Sequence, residues 1–276
     1  MYKDLLVHAD EAPDAAARIE YAVRMAIAAD AHLTALYAPA SGTIPTFVMA
    51  DIPPAVITEV EARRKEAAAR LREQVESLAR RHARTIEFRE VEGDAGTALP
   101  LHARYCDLAI VGQGRHERDL GTPGAGVLAD AVASASGRAA LCIPSYGSFA
   151  PLPRSIVIAW NGSREAARAV NEALPLLQRA ERVTVLSVTQ PERVPARLYG
   201  ADIATHLARH RVKAETATTL APDGDIGNEL LSRAADLGAE LIVMGCYGHS
   251  RLRERVLGGA TQTILEQMTV PVLLAH

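Results

Sequence analysis

Residues Leu241–Thr261 read LIVMGCYGHSRLRERVLGGAT. The run Leu241–Met244 has no polar alternation, as suits a strand buried on both faces, and Gly258-Gly259 precedes a helical pattern over Ala260–Gln267. A buried strand that passes through glycine and a basic loop into a helix is the start of a crossover, which places it in a parallel sheet. At the carboxyl end of such a strand Gly245 and Gly248 permit a tight turn and let a ligand approach the main chain with no Cβ in the way. Gly258 and Gly259 stand at the helix start, where unpaired N–H groups and the positive dipole end favour a phosphate.

Working outward, the chain repeats itself. Asp223-Gly224-Asp225 precedes the helical pattern Ile226–Leu237 and the strand Glu240–Met244; Glu92-Gly93-Asp94 precedes an Ala/Leu-rich helix, the strand Asp107–Val111 and Gly112. Lys3–Asp10 (KDLLVHAD) leads into a helical pattern over Ala12–Ala29, as Ser155–Asn161 (SIVIAWN) leads into Arg164–Leu177. The halves close on the apolar runs Ala139–Pro144 and Val270–Ala275. Each half therefore reads βαβαβαβαβ, and the expected fold class is α/β: two tandem domains, 1–147 and 153–276, each a five-stranded largely parallel sheet with helices on both faces. Ser145–Pro153 (SYGSFAPLP) is the expected linker, and the two domains are expected to pack as a pseudo-dimer within the chain. The first half differs by a Pro- and Gly-rich flap, Ala40–Ala55, and a charged helix around Thr58–His82 whose Ala68, Leu71, Val75 and Leu78 form an ordinary core-facing stripe.

Composition narrows the partners. With 49% hydrophobic and 23% charged residues in 276, the chain can bury a sizeable core. A net charge of −3 supplies no basic field for nucleic acid or anionic membrane, and no run approaches the ~20 apolar residues of a membrane span. Cys106, Cys142 and Cys246 are odd in number, far apart and set in or beside apolar runs, which points to buried thiols and the cytoplasm.

The pattern Gly-x2-Gly-x9-Gly with a following small residue resembles the ATP-binding signature of the universal stress protein family, and the closing MTVPVLLAH is similar to that family's last strand. The resemblance implies a tandem protein of flavodoxin-like, adenine-nucleotide alpha-hydrolase-like domains that binds ATP, ADP or AMP, with Mg²⁺ as a companion ion. By position it implies Asn161 and Val188 near the adenine and Met244 and Gly245 facing the ribose. Gly248, Gly258, Gly259 and Ala260 would offer backbone N–H groups to phosphate. Two departures stand out: the family commonly has Asp where Asn161 stands and Ser or Thr where Gly259 stands, so one carboxylate and one hydroxyl contact are missing. The first half lacks the pattern. After Gly112 it runs QGRHERDLGTPGAG, with Gly121, Gly124 and Gly126 ahead of the helix Val127–Ser134, and Asp10 holds the place of the family's first-strand Asp. This half is expected to be a degenerate copy serving as scaffold and interface.

Other features carry less. His206 and His210 are four apart on a helix, and Cys246 and His249 three apart in the glycine loop, yet neither pair has a further ligand at metal spacing, so no metal is expected. Arg251, Arg253 and Arg255 alternate as solvated residues do, with at most one expected to touch ligand. Ser163 is expected to cap the helix Arg164–Leu177. No nucleophile–base–orienter set is legible, so catalysis is not indicated, a slow ATPase being the most it could be. The leading expectation is a cytoplasmic stress-response protein holding adenine nucleotide in its second half, with unknown protein partners and homodimer formation left open. The alternative is a non-nucleotide interaction scaffold in which both clefts are vestigial.

Overall fold

The computed structural model describes residues 1–39, 53–114, 126–189, 199–221, 223–246 and 259–276. In chain order the elements of the first half are β1 (Asp4–Ala9), α1 (Ala15–Ala29), β2 (His32–Tyr37), α2 (Pro54–Arg81), β3 (Glu87–Glu90), α3 (Ala95–Ala103), β4 (Leu108–Gly112), α4 (Val127–Ala135) and β5 (Ala139–Ile143). The second half repeats them as β6 (Ser155–Ala159), α5 (Arg164–Leu177), β7 (Arg182–Thr189), α6 (Tyr199–Arg209), β8 (Ala214–Leu220), α7 (Ile226–Asp236), β9 (Leu241–Gly245), α8 (Gly259–Gln267) and β10 (Val272–Ala275).

The strands form one ten-stranded sheet in the order β3-β2-β1-β4-β5-β10-β9-β6-β7-β8. Within each half every pairing is parallel; β5 and β10 meet antiparallel, with Leu273 opposite Leu141 at the centre. A change of direction at that one seam relates the halves by a pseudo-two-fold axis. Both seam strands are buried along their whole length, so each half covers apolar edge that the other would expose. Apolar clusters lie on both faces: one joins α1, α2, α5 and α6 to the sheet, the other α3, α4, α7 and α8, and each runs across the seam. The Ala68, Leu71, Val75, Leu78 stripe of α2 is buried in the first cluster, as its spacing predicts.

Local chemistry sets the helix starts. Ser163 accepts from the Ala166 amide at 3.1 Å, while Asp94 and Asp225 accept from Thr97 and Asn228 at 3.0 Å. Gly93 and Gly224, which precede those two aspartates, both have positive φ, so the repeated Gly-Asp is a left-handed turn followed by a cap in each half. Helix α2 begins at Pro54, earlier than the expected Thr58, because proline's fixed φ suits a first helical position. The rest of the expected flap, residues 40–52, lies outside the described residues.

Candidate functional site

The registers of the two halves superpose. Val7 pairs with Ile110 as Ile158 pairs with Val243, and His8 faces Leu36 as Ala159 faces Leu186. Gly112 therefore corresponds to Gly245, His8 to Ala159, Asp10 to Asn161, and Ala38 to Val188. The Asp10–Asn161 correspondence has its own support, because both make the same turn: Asp10 Oδ1 accepts from the Ala12 amide at 3.1 Å and Asn161 Oδ1 from the Ser163 amide at 3.0 Å.

In the second half, β6 lies between β7 and β9, and α5 leaves its carboxyl end. Here the direction of winding of the sheet reverses, the switch point outside whose strand ends α/β sheets place the ligand crevice. Met244 is buried, with half-buried Ala159 and Val188 packed on the same cluster, giving an apolar floor. Asn161 is exposed at its rim. With Oδ1 engaged by Ser163, the Asn161 amide nitrogen is the group left for a ligand.

Gly245 has a structural reason as well as a place on this rim. A Cβ there would stand 2.5 Å from Ala166 N and from Glu165 C, so the glycine lets the first turn of α5 press on β9. Gly259 opens α8 itself, one residue ahead of the expected Ala260 start; it lacks positive φ, and no atom of the described residues lies within 4 Å of where its Cβ would be. The first turns of α7 and α8 pack tightly, since a Cβ on Gly227 would meet Thr263 Cβ at 2.7 Å and Ala260 O at 3.2 Å. The structure thus places Asn161, Val188, Met244 and Gly245 on neighbouring strand ends, and Gly259 and Ala260 in the first turn of α8. Gly248 and Gly258 lie outside the described residues, as do His249, Arg251, Arg253 and Arg255.

Two ionisable groups adjoin this crevice. Glu165 is buried, and burial opposes its charge, but hydrogen bonds from Arg164, its own amide and Ser163 outweigh that and hold the carboxyl below its ordinary range. Cys246 is buried and bonded to the Ala275 carbonyl, and burial pushes its thiol up to about 12. Neither group is poised at neutral pH as base or nucleophile. His206, on α6, and His210, just past its end, pack ring to ring, their centroids 4.6 Å apart. Among the described residues no three His, Cys, Asp or Glu side chains gather as a metal site.

The same place in the first half is filled from within. Arg18, 2% exposed, reaches from α1 to the end of β1: Nε donates to His8 O at 3.0 Å, Nη2 to Asp10 Oδ1 at 2.6 Å and Nη1 to Asp14 Oδ2 at 3.0 Å. Its guanidinium lies against Gly112, where a Cβ would come within 2.1 Å of Nη1. On the other side of the strand His8, 3% exposed, occupies the position that Ala159 leaves open in the second half. Burial lowers the His8 pKa to about 4, with Asp10 opposing and Arg18 reinforcing the shift; Nδ1 stands 3.2 Å from Asp10 Oδ2 without hydrogen-bond geometry, and Nε2 has no partner among the described residues. Burial alone would raise Asp10, but the Arg18 charge leads a set of contacts that holds its carboxyl low. Asp10 is thus the anchor of an internal ion network. Sequence reasoning missed His8 and Arg18, although the four-residue spacing of Asp10, Asp14 and Arg18 carried a signal.

A match to the universal stress protein family covers residues 1–135 and again 153–276. The chain belongs to the universal stress protein family. Two family matches in sequence order make this a tandem universal stress protein. It is 36% identical over 64 residues to the universal stress protein YxiE of Bacillus subtilis, a stretch that spans 23% of this chain and 43% of that relative. A universal stress protein from Archaeoglobus fulgidus shares the fold over 99% of this chain and 95% of its own, with TM-score 0.70 at 14% identity. A functionally unknown protein from Pseudomonas aeruginosa does so over 99% and 92%, with TM-score 0.60 at 14% identity. This universal stress protein has no helix, among the described residues, long and apolar enough to cross a membrane.

Proposed function

We propose that this universal stress protein holds an adenine nucleotide, ATP, ADP or AMP, in the crevice of its second half, while the first half serves as scaffold and interface. The observation that carries this reading is the asymmetry between equivalent places: an apolar floor at Ala159, Val188 and Met244 in one half, and His8 with the Arg18 network in the other. The floor suits a base, Asn161 can donate to a ring nitrogen, and the first-turn amides of α8 suit a phosphate. Gly259 adds no side chain of its own at that helix start. Gly248 and Gly258 complete the glycine pattern in sequence, and Mg²⁺ would accompany a triphosphate as counter-ion.

The reading is of a holding site and not a hydrolytic one, since Glu165 is a weak base tied to Arg164 and Ser163, and Cys246 is an un-ionised thiol. A stress response in the cytoplasm accords with the family and with the three buried free thiols. Mass spectrometry of the protein extracted under native conditions tests the reading: co-purified AMP, ADP or ATP is expected. Protein that carries none, and takes up none when titrated, would return the second half to the status of a vestigial cleft.

A further inference from the structure

The first half's glycine loop has a polar residue where the second half has Cys246. Gln113 follows Gly112, is 7% exposed, and has both ends of its amide engaged. Its Nε2 donates to Leu265 O at 2.8 Å and to Glu266 O at 3.1 Å, the carbonyls of the last turn of α8 in the other half. Its Oε1 accepts from the Ser145 amide at 3.1 Å, its own amide donates to Ile143 O at 2.9 Å, and its carbonyl accepts from Gly126 at 2.6 Å. Gly126 adds a second contact across the seam: it sits at φ +75°, and a Cβ on it would stand 2.5 Å from Leu265 Cδ1. Only a glycine fits there with α8 seated as it is.

Helix α8 spans nine residues, too short to be stable without tertiary anchors. Its amino end packs on α7 through Gly227 and Thr263, and its carboxyl end is fastened to the first half by Gln113 and Gly126. A helix of that length is a stiff rod of about 13 Å, so a displacement of its last turn is passed to its first. We infer that Gln113 is a positioning residue for the phosphate end of α8: the two ends of the first half's degenerate loop, Gln113 and Gly126, clamp the helix that meets ligand. This inference rests on the nucleotide reading of the second half. It gives the first half a task for which the sequence of either half alone offers no sign.

The test is Gln113→Leu in the full chain, titrated with AMP and with adenosine. Adenosine shares the base and ribose but not the phosphate. AMP binding is expected to weaken about five- to tenfold, the scale of one or two positioning hydrogen bonds, with adenosine binding unchanged. A folded variant in which both ligands weaken alike, or neither weakens, overturns the inference. If Gln113→Leu does not fold, Gln113→Met keeps length and flexibility and is read the same way. Hydrogen exchange of the α8 amides supplies a readout without ligand: faster exchange in the variant supports the clamp, and unchanged exchange contradicts it. Wild-type protein that binds neither AMP nor adenosine would sink the nucleotide reading and leave the exchange result to decide on the clamp alone.

Discussion

Gly245→Ala adds a single methyl group at the most crowded point of the second half. The new Cβ would lie 2.5 Å from Ala166 N and from Glu165 C, and 2.8 Å from Glu165 Cβ. Two of these are main-chain atoms and the third a Cβ, so no rotamer change relieves the overlap. Comfortable carbon contacts begin near ~3.5 Å, which requires α5 to retreat from β9 by about 1 Å. That face of α5 carries Ala166, Ala169, Val170, Ala173, Leu176 and Leu177, each no more than 2% exposed, so the retreat loosens a packed interface along its length. Overpacking costs ~1–3 kcal/mol, and with the loosened contacts we expect a loss of about 3 kcal/mol. Urea unfolding of the full chain measures it; at a slope of about 2 kcal/mol/M the midpoint should fall by roughly 1.5 M. Gly259→Ala is the companion, since its Cβ meets nothing within 4 Å among the described residues and should leave the midpoint in place or raise it slightly. If Gly245→Ala unfolds within about 0.5 kcal/mol of wild type, the close approach of α5 to β9 is not the reason for glycine there, and ligand access would be left as its role.

Gly259→Ser restores the hydroxyl common in the family; the site is open among the described residues and free of positive φ, so stability should hold while nucleotide affinity rises on the order of tenfold, and unchanged affinity in a stable variant would show that phosphate does not reach this helix start. For His8 the folded-state pKa of about 4 lies below the ordinary 6.5, so between those values the unfolded chain binds a proton that the folded one refuses, and stability is lost as pH falls through that window. About 2 kcal/mol should disappear between pH 7 and pH 5 on this account, and His8→Ala should flatten the slope by that amount; equal slopes in the two proteins would mean that His8 is not buried neutral.

Much of the fold was legible because apolar runs, helical stripes and Gly-Asp turns recur in the same order in both halves. Asp94, Asp225 and Ser163 stand where the caps fall, and the α5 boundaries agree with the residue pattern. The seam was less accessible. Ala139–Pro144 and Val270–Ala275 read as buried strands, but an apolar run does not state its partner or direction, and their antiparallel pairing follows from how two copies close on each other. The internal plug of the first half needed three dimensions as well: Arg18 is one charge on an amphipathic helix until Gly112 is seen to make room for its guanidinium. Gln113 had no local signal at all, since its partners Leu265 and Glu266 belong to the other half of the chain. Glycine was the reverse case. Gly245 was singled out for ligand access, and the structure adds a packing role that the spacing alone could not express.

The central claim is one nucleotide site per chain, in the second half. Isothermal titration of nucleotide-free full-length protein with ATP, beside the same titration of Gly248→Val, measures it most directly. One site per chain is expected in the wild type, and its loss in a Gly248→Val variant that keeps its fold, because a branched side chain in the glycine pattern would fill phosphate space. Two equivalent sites would contradict the filled first-half cleft, and a site untouched by Gly248→Val, or no binding at all, would contradict the placement of nucleotide in the second.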